Sequence, residues 1–330
     1  MKALIVAAGV AALAVVHLSA QKPAAAAKPY APAKTAWGDP NLQGVYTDKD
    51  ENGVPLERPT QFEGKRVEDV DDSELADIVR ERQARAVAGA AAIGGADTGA
   101  GPVHWYEHYG AKNSRPWMVV DPPDGKIPPL TPAAQQRATA RIAARSGHGP
   151  ADSYDDRSLY DQCITRGVVG SMLPVIYGNS FQIIQAPGYV AIRYEMIHET
   201  RVIAMDGRPH APSKVRSYMG DARGHWEGNT LVVETTNFTD RTAIGVNGNG
   251  TFNSEQLRLI ERFTPVSPAI VEWRVTVNDA ATWTGPWTFA LNLTRDESQG
   301  VFEYACHEGN YAMHNILSAA RADERQQGAR

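Results

Sequence analysis

His198, Asp221, Glu261 and His307 are the residues of this chain best suited to acid/base chemistry. An imidazole titrates near neutrality, and a desolvated carboxylate can be shifted towards it. In YVAIRYEMIH (189–198), period-two alternation puts Val190, Ile192, Tyr194, Met196 and His198 on one face. In EQLRLIERFT (255–264), Leu257, Leu259, Glu261 and Phe263 share a face. An imidazole and a carboxylate thus enter an apolar interior in phase. There His198 is a candidate general base, and Glu261 its orienter or a general acid. The competing reading is structural: Glu261 pairs a buried arginine such as Arg201 or Arg223, and His198 caps a strand end.

Two polar runs, DGRPH (206–210) and GDARGHWEGN (220–229), are read as loops at one end of a β meander. They supply Arg208, His210, Asp221, Arg223 and Trp226 as candidate binding residues. Ordinary hairpin chemistry accounts for the same Asp-Gly and Glu-Gly-Asn steps. A third run, YACHEGNY (304–311), sets His307 and Glu308 beside Cys306. Tyr194 and Asn237 fall on inward strand phases. Trp283 joins Trp226 as a candidate pocket wall.

Other chemistries are disfavoured by absence. No phosphate-loop motif and no nucleophile-elbow motif occurs, and GVNGNG (245–250) lies between strands, where it opens no βαβ unit. His198-Glu199 lacks the second histidine of a zinc helix motif. His104 and His108 are four apart, and His198, His210 and His307 are free to converge, but no spacing demands a metal. No cofactor and no metal is expected. The net charge of -5 and the lack of a basic block give nucleic acid no footprint. Two cysteines, Cys163 and Cys306, suggest one disulfide in an oxidising compartment, with two buried thiols as the alternative.

The elements that must position these groups are mostly strands. Nine are predicted: 181–186, 189–197, 200–205, 215–219, 230–238, 255–264, 270–278, 287–293 and 301–305. Short links make them antiparallel neighbours, and a meander this long tends to curl or close. The fold class is mainly β, an antiparallel meander or lipocalin-like barrel with N-terminal helices and arms and a C-terminal helix. Within 37–47, turn chemistry is followed by a short apolar strand, and 116–132 holds another short strand. Helices are predicted over 67–87, over 132–145 with Thr131 as N-cap and Pro132 at the first turn, and over 310–324.

At the N-terminus, Lys2 and the apolar run Ala3–Val16 read as a signal peptide over residues 1–20, followed by a flexible leader over 21–36. Residues 37–330 are expected to form one β-rich domain: a wrapping arm with helices (37–150), the meander (151–309) and the helix. Apolar periodicity is scarce before residue 115, so the arm has little core of its own.

The runs VDPPDGKIPPLTP, YDDRSLYDQCITRG, YEMIHETRVIAMDGRPH, GDARGHWEGNTLVVETTNF and FEYACHEGNY resemble those of a family of exported bacterial proteins of unknown function. The resemblance spans roughly Trp37 to Glu324. It implies export and one continuous unit, and carries no catalytic residue over. From the residues themselves, the expectation is an exported, periplasmic or secreted enzyme. It would run cofactor-independent acid/base chemistry, as a lyase, isomerase or hydrolase, on a small, partly apolar, possibly aromatic molecule. A binding or carrier barrel without catalysis is the alternative, and a structural envelope protein a third. The partner is a small molecule, with no stable membrane insertion once the leader is removed. The oligomeric state is left open.

Overall fold

A computed structural model of the chain describes residues 30–92, 114–298 and 300–328. The signal segment, most of the leader, and His104 and His108 lie outside the described residues. The strands are β1 (Gly44–Thr47), β2 (Val119–Asp121), β3 (Ser180–Ala186), β4 (Tyr189–Tyr194), β5 (Thr200–Ala204), β6 (Asp221–Glu227), β7 (Thr230–Thr236), β8 (Ala243–Ile244), β9 (Thr251–Phe252), β10 (Arg258–Pro265), β11 (Ile270–Asn278) and β12 (Trp287–Arg295). The helices are α1 (Asp72–Ala92), α2 (Pro132–Ala144), α3 (Gly167–Gly170) and α4 (Tyr311–Gly328).

The sheet runs β1-β3-β4-β5-β6-β7-β10-β11-β12, and β1 also pairs with β12 (Tyr46↔Arg295, Thr47↔Thr294) to close a nine-stranded barrel. The other half of β12 pairs with β2 (Thr288↔Asp121, Phe289↔Val119). Closure leaves no free edge among the barrel strands. Alternation sorts the faces as expected: β11 is buried at Val271, Trp273, Val275 and Val277 and part-exposed between them. Phe181, Ile183, Ile192, Ile203, Leu231, Phe263, Trp273, Phe289 and Leu291 fill the interior at no more than 1% exposure. These side chains form one continuous apolar cluster inside the barrel.

α2 begins as expected, with the Thr131 hydroxyl accepting from Ala134 N at 3.1 Å. Four expectations are corrected. Residues 215–219 and 301–305 are not strands; they make only isolated bridges, Ser217↔Phe238 and Met196↔Tyr304. Asp221–Glu227, read as a loop, is β6. Its inner face carries Ala222 and Gly224, because a Cβ on Gly224 would sit 2.4 Å from Met205 Sδ and 2.9 Å from Ile203 Cγ2. β5 and β6 meet in parallel, at Ala204↔Arg223, because residues 205–220 cross over between them. Finally, β4 stops at Tyr194, since Ile197 and His198 are left-handed (φ 65° and 47°) and form a turn.

Candidate functional site

The residues expected to act together are dispersed. Glu261 is fully buried inside the barrel, where Arg201 grips it through both guanidinium nitrogens, one at 3.0 Å from Oε1. Trp273 Nε1 donates to the same Oε1 at 3.2 Å, and Arg201 also reaches Thr235 Oγ1 at 2.9 Å. The Tyr194 phenol lies in this cluster with its pKa pushed up by burial, partly offset by Arg201. This is the arginine pairing anticipated as the structural reading. His198 is not in that interior: it sits half-exposed in the turn after β4, its Nδ1 3.3 Å from Tyr304 O. His307 is exposed beside the disulfide that joins Cys163 and Cys306.

The binding candidates divide likewise. His210, Asp221 and Arg223 do come together on the outer surface. Asp221 accepts from Arg223 at 2.6 Å and from Ala211 N at 2.8 Å, and lies 3.1 Å from His210 Nδ1. Burial opposes ionisation of Asp221, but these donors hold its pKa below the ordinary value. Arg208 is exposed and pairs with Asp206 and the Tyr189 hydroxyl. Asn237, left-handed at φ 59°, donates to the carbonyls of Ala211, Pro212 and Val215 and so pins the crossover. Trp283 is a core residue, edge-on to Trp287 and 3% exposed, not a pocket wall. Trp226 packs half-buried against the barrel core. Among the described residues no group of His, Cys, Asp and Glu is arranged to hold a metal ion.

A different place has the shape and charge of a site. A cleft of about 210 Å³ opens on the outside of the barrel, where the β7–β10 excursion meets α2 and the segment before α3. Arg141, Arg145, Arg157, Arg166 and Arg241 line it, against a single lining carboxylate, Asp155. Five guanidiniums at one cleft of a chain with net charge -5 make a local positive field. Arg141 and Arg145 are one helical turn apart at the end of α2, where cations also suit the helix dipole. Arg141 is paired with Asp240, and Arg157 with Asp161 at 3.1 Å. Arg145 reaches only the Asp155 carbonyl, at 3.4 Å. Among the described residues, Arg145 and Arg241 have no carboxylate within ion-pair distance.

Arg166 is the most deeply buried of the five. It is 2% exposed, and its Nε is buried without a hydrogen-bond acceptor. One terminal nitrogen donates to Asn247 Oδ1, and the guanidinium stands 5.1 Å from the Tyr160 ring centroid. Burial lowers its pKa, against attraction from the Tyr160 phenol and the buried Asp48 carboxylate. The GVNGNG loop holds it there by close backbone contact. A Cβ on Gly170 would lie 2.2 Å from Gly248 N, and one on Gly248 (φ 68°) would lie 2.5 Å from Arg166 O.

None of the candidate catalytic or binding residues read from the sequence lines this cleft, although Gly248, Asn249 and Gly250 of the GVNGNG run do. Its arginines come from separated stretches, and only the Arg141/Arg145 spacing is a visible signal. No family model, curated protein or solved structure matches the chain, so the site is assigned on its geometry.

Proposed function

We propose that this is an exported binding protein for a small anionic molecule, which docks in the arginine cleft outside the barrel. The observation that carries the reading is the excess of arginine at the cleft: Arg141, Arg145, Arg157, Arg166 and Arg241 line it against one carboxylate, Asp155, and among the described residues Arg145 and Arg241 have no carboxylate within ion-pair distance. A carboxylate, phosphate or sulfate would accept charge-assisted hydrogen bonds from Arg145 and Arg241. The signal-like N-terminus and the disulfide support export. Among the described residues no helix is long and apolar enough to cross a membrane. Dispersal of His198, Asp221, Glu261 and His307 over four surroundings favours binding over an acid/base centre built from them.

Calorimetric titration with inorganic phosphate and with sulfate tests the reading. Saturable binding is expected, weakening with added salt. Arg145→Ala combined with Arg241→Ala leaves the buried parts of the fold untouched and lowers affinity by about tenfold or more, about 1.4 kcal/mol. Heat signals that do not saturate, or that survive the double substitution, would remove the cleft from consideration.

A further inference from the structure

We infer that the ligand of the cleft is an amphiphilic anion, an acidic head group carrying an apolar chain or ring; this rests on the anion-binding reading above. The reason is a second hollow, of about 400 Å³, that adjoins the first and shares Arg141, Arg145 and Phe252 with it. Its remaining lining is Ala138, Ile142 and Ala144, all from the outer face of α2. Ile142 is 74% exposed and Phe252 42% exposed, side by side, on a surface where large apolar groups are normally scattered singly.

The shared residues join the two hollows chemically. Arg141 stacks over the Phe252 ring, 4.2 Å from its centroid. Arg141 and Arg145 line both hollows, and their aliphatic stems are apolar surface as their guanidiniums are charged. An ion alone would satisfy the arginines and leave Ile142 and Phe252 in water. A purely apolar molecule would cover the shelf and leave Arg145 and Arg241 without a counter-charge. One molecule with both parts satisfies both surfaces. Five guanidiniums outnumber the single lining carboxylate, Asp155, which favours a monoanion or dianion over a zwitterion with an equal cationic part. The shelf is short, bounded by about two turns at the end of α2 and one aromatic ring, so it suits a phenyl ring or a medium alkyl chain.

Phosphate, phenyl phosphate and octyl phosphate, the last below its micelle concentration, are titrated into the full-length protein. Phenyl and octyl phosphate are expected to bind at least about tenfold tighter than inorganic phosphate. Ile142→Ser, at a side chain that no buried contact needs, reduces that ratio several-fold. Val202→Ala, at an exposed apolar residue on β5 that does not line either hollow, leaves the ratio as it is. Equal affinities for all three ligands would overturn the amphiphile while leaving anion binding intact. Saturable binding of none of them would overturn both. Co-sedimentation with phosphatidylglycerol vesicles without binding of soluble octyl phosphate would assign the surface to a membrane head-group layer and overturn the single-molecule inference.

Discussion

At the scale of single residues, one buried and one part-buried carboxylate should answer the same substitution in opposite ways. Glu261 is clamped by Arg201, and by the indole of Trp273, at zero exposure. Glu261→Gln leaves the Arg201 charge buried and uncompensated, which is expected to cost about 3–5 kcal/mol in urea unfolding. Replacing both partners, Arg201→Met with Glu261→Leu, should cost less than the single change, since no charge is then stranded. Glu199 is different. Burial raises its pKa above the ordinary 4.5, opposed only by the Thr165 hydroxyl, which donates to it at 2.7 Å. The protonated form therefore suits the fold better than the anion. Its contribution to stability is fully present below the unfolded pKa and is lost as the pH rises through the higher folded value. Glu199→Gln keeps an acceptor for Thr165 and removes the charge, so the melting temperature should rise at pH near 7 and converge on that of the unsubstituted protein near pH 4. A Glu261→Gln protein as stable as the parent, or a Glu199→Gln protein less stable at neutral pH, would contradict this assignment of the two sites.

At the scale of elements, α4 shows how little of a helix can be packed when a covalent tie holds it. No residue of α4 is buried. It is held by the Cys163–Cys306 bond, by Asn310 to the Asp161 carbonyl at 3.1 Å, and by Arg321 to the Asp152 carbonyl at 2.8 Å. The bond closes a loop of 143 residues, for which chain entropy alone gives about 5 kcal/mol. Reduction, or Cys163→Ala with Cys306→Ala, is expected to release amide protection across Tyr311–Gly328 while β10, β11 and β12 keep theirs, read by hydrogen exchange. Loss of protection in those three strands as well would mean the tie supports the barrel itself. Elements of this kind also show what the amino-acid text reveals. α2 was readable at its start because its cap is local, Thr131 followed by Pro132. The disulfide was readable because only two cysteines exist. Strand β6 was not, because its inward face is Ala and Gly and the apolar partners that fill the gap, Ile203, Met205 and Leu231, lie elsewhere in the chain. The turn that ends β4 was not either, since nothing in Ile197 or His198 announces a left-handed backbone. The arginine cleft was least visible: each guanidinium has an ordinary local explanation, and only the fold brings the five together.

At the scale of the whole molecule, the barrel depends on a strand of four residues from far upstream. β1 lies between β3 and β12, in register from Gly44↔Ile183 to Thr47↔Ser180 on one side and at Arg295 and Thr294 on the other. Tyr46 anchors it: the ring is 2% exposed and stacked on Phe181 at 6.3 Å, and its hydroxyl donates to the Leu42 carbonyl at 3.0 Å. Without β1, both β3 and the outer half of β12 present unpaired backbone, and Phe181 faces the gap that Tyr46 filled. A protein beginning at Asp48 should therefore lose cooperative melting and self-associate through those edges, as seen by size-exclusion chromatography. Tyr46→Ala, which keeps the backbone pairing and removes only the ring, should remain monomeric and lose about 3–5 kcal/mol. The two variants separate edge protection from core packing. A synthetic peptide covering residues 37–50 should restore the monomer to the truncated protein, because an open slot between two strands is completed by strand addition from outside. If the truncated protein stays monomeric and melts as the intact chain does, β1 is an ornament on a sheet that closes without it, and the stability of the barrel must be sought in the β10–β12 half alone.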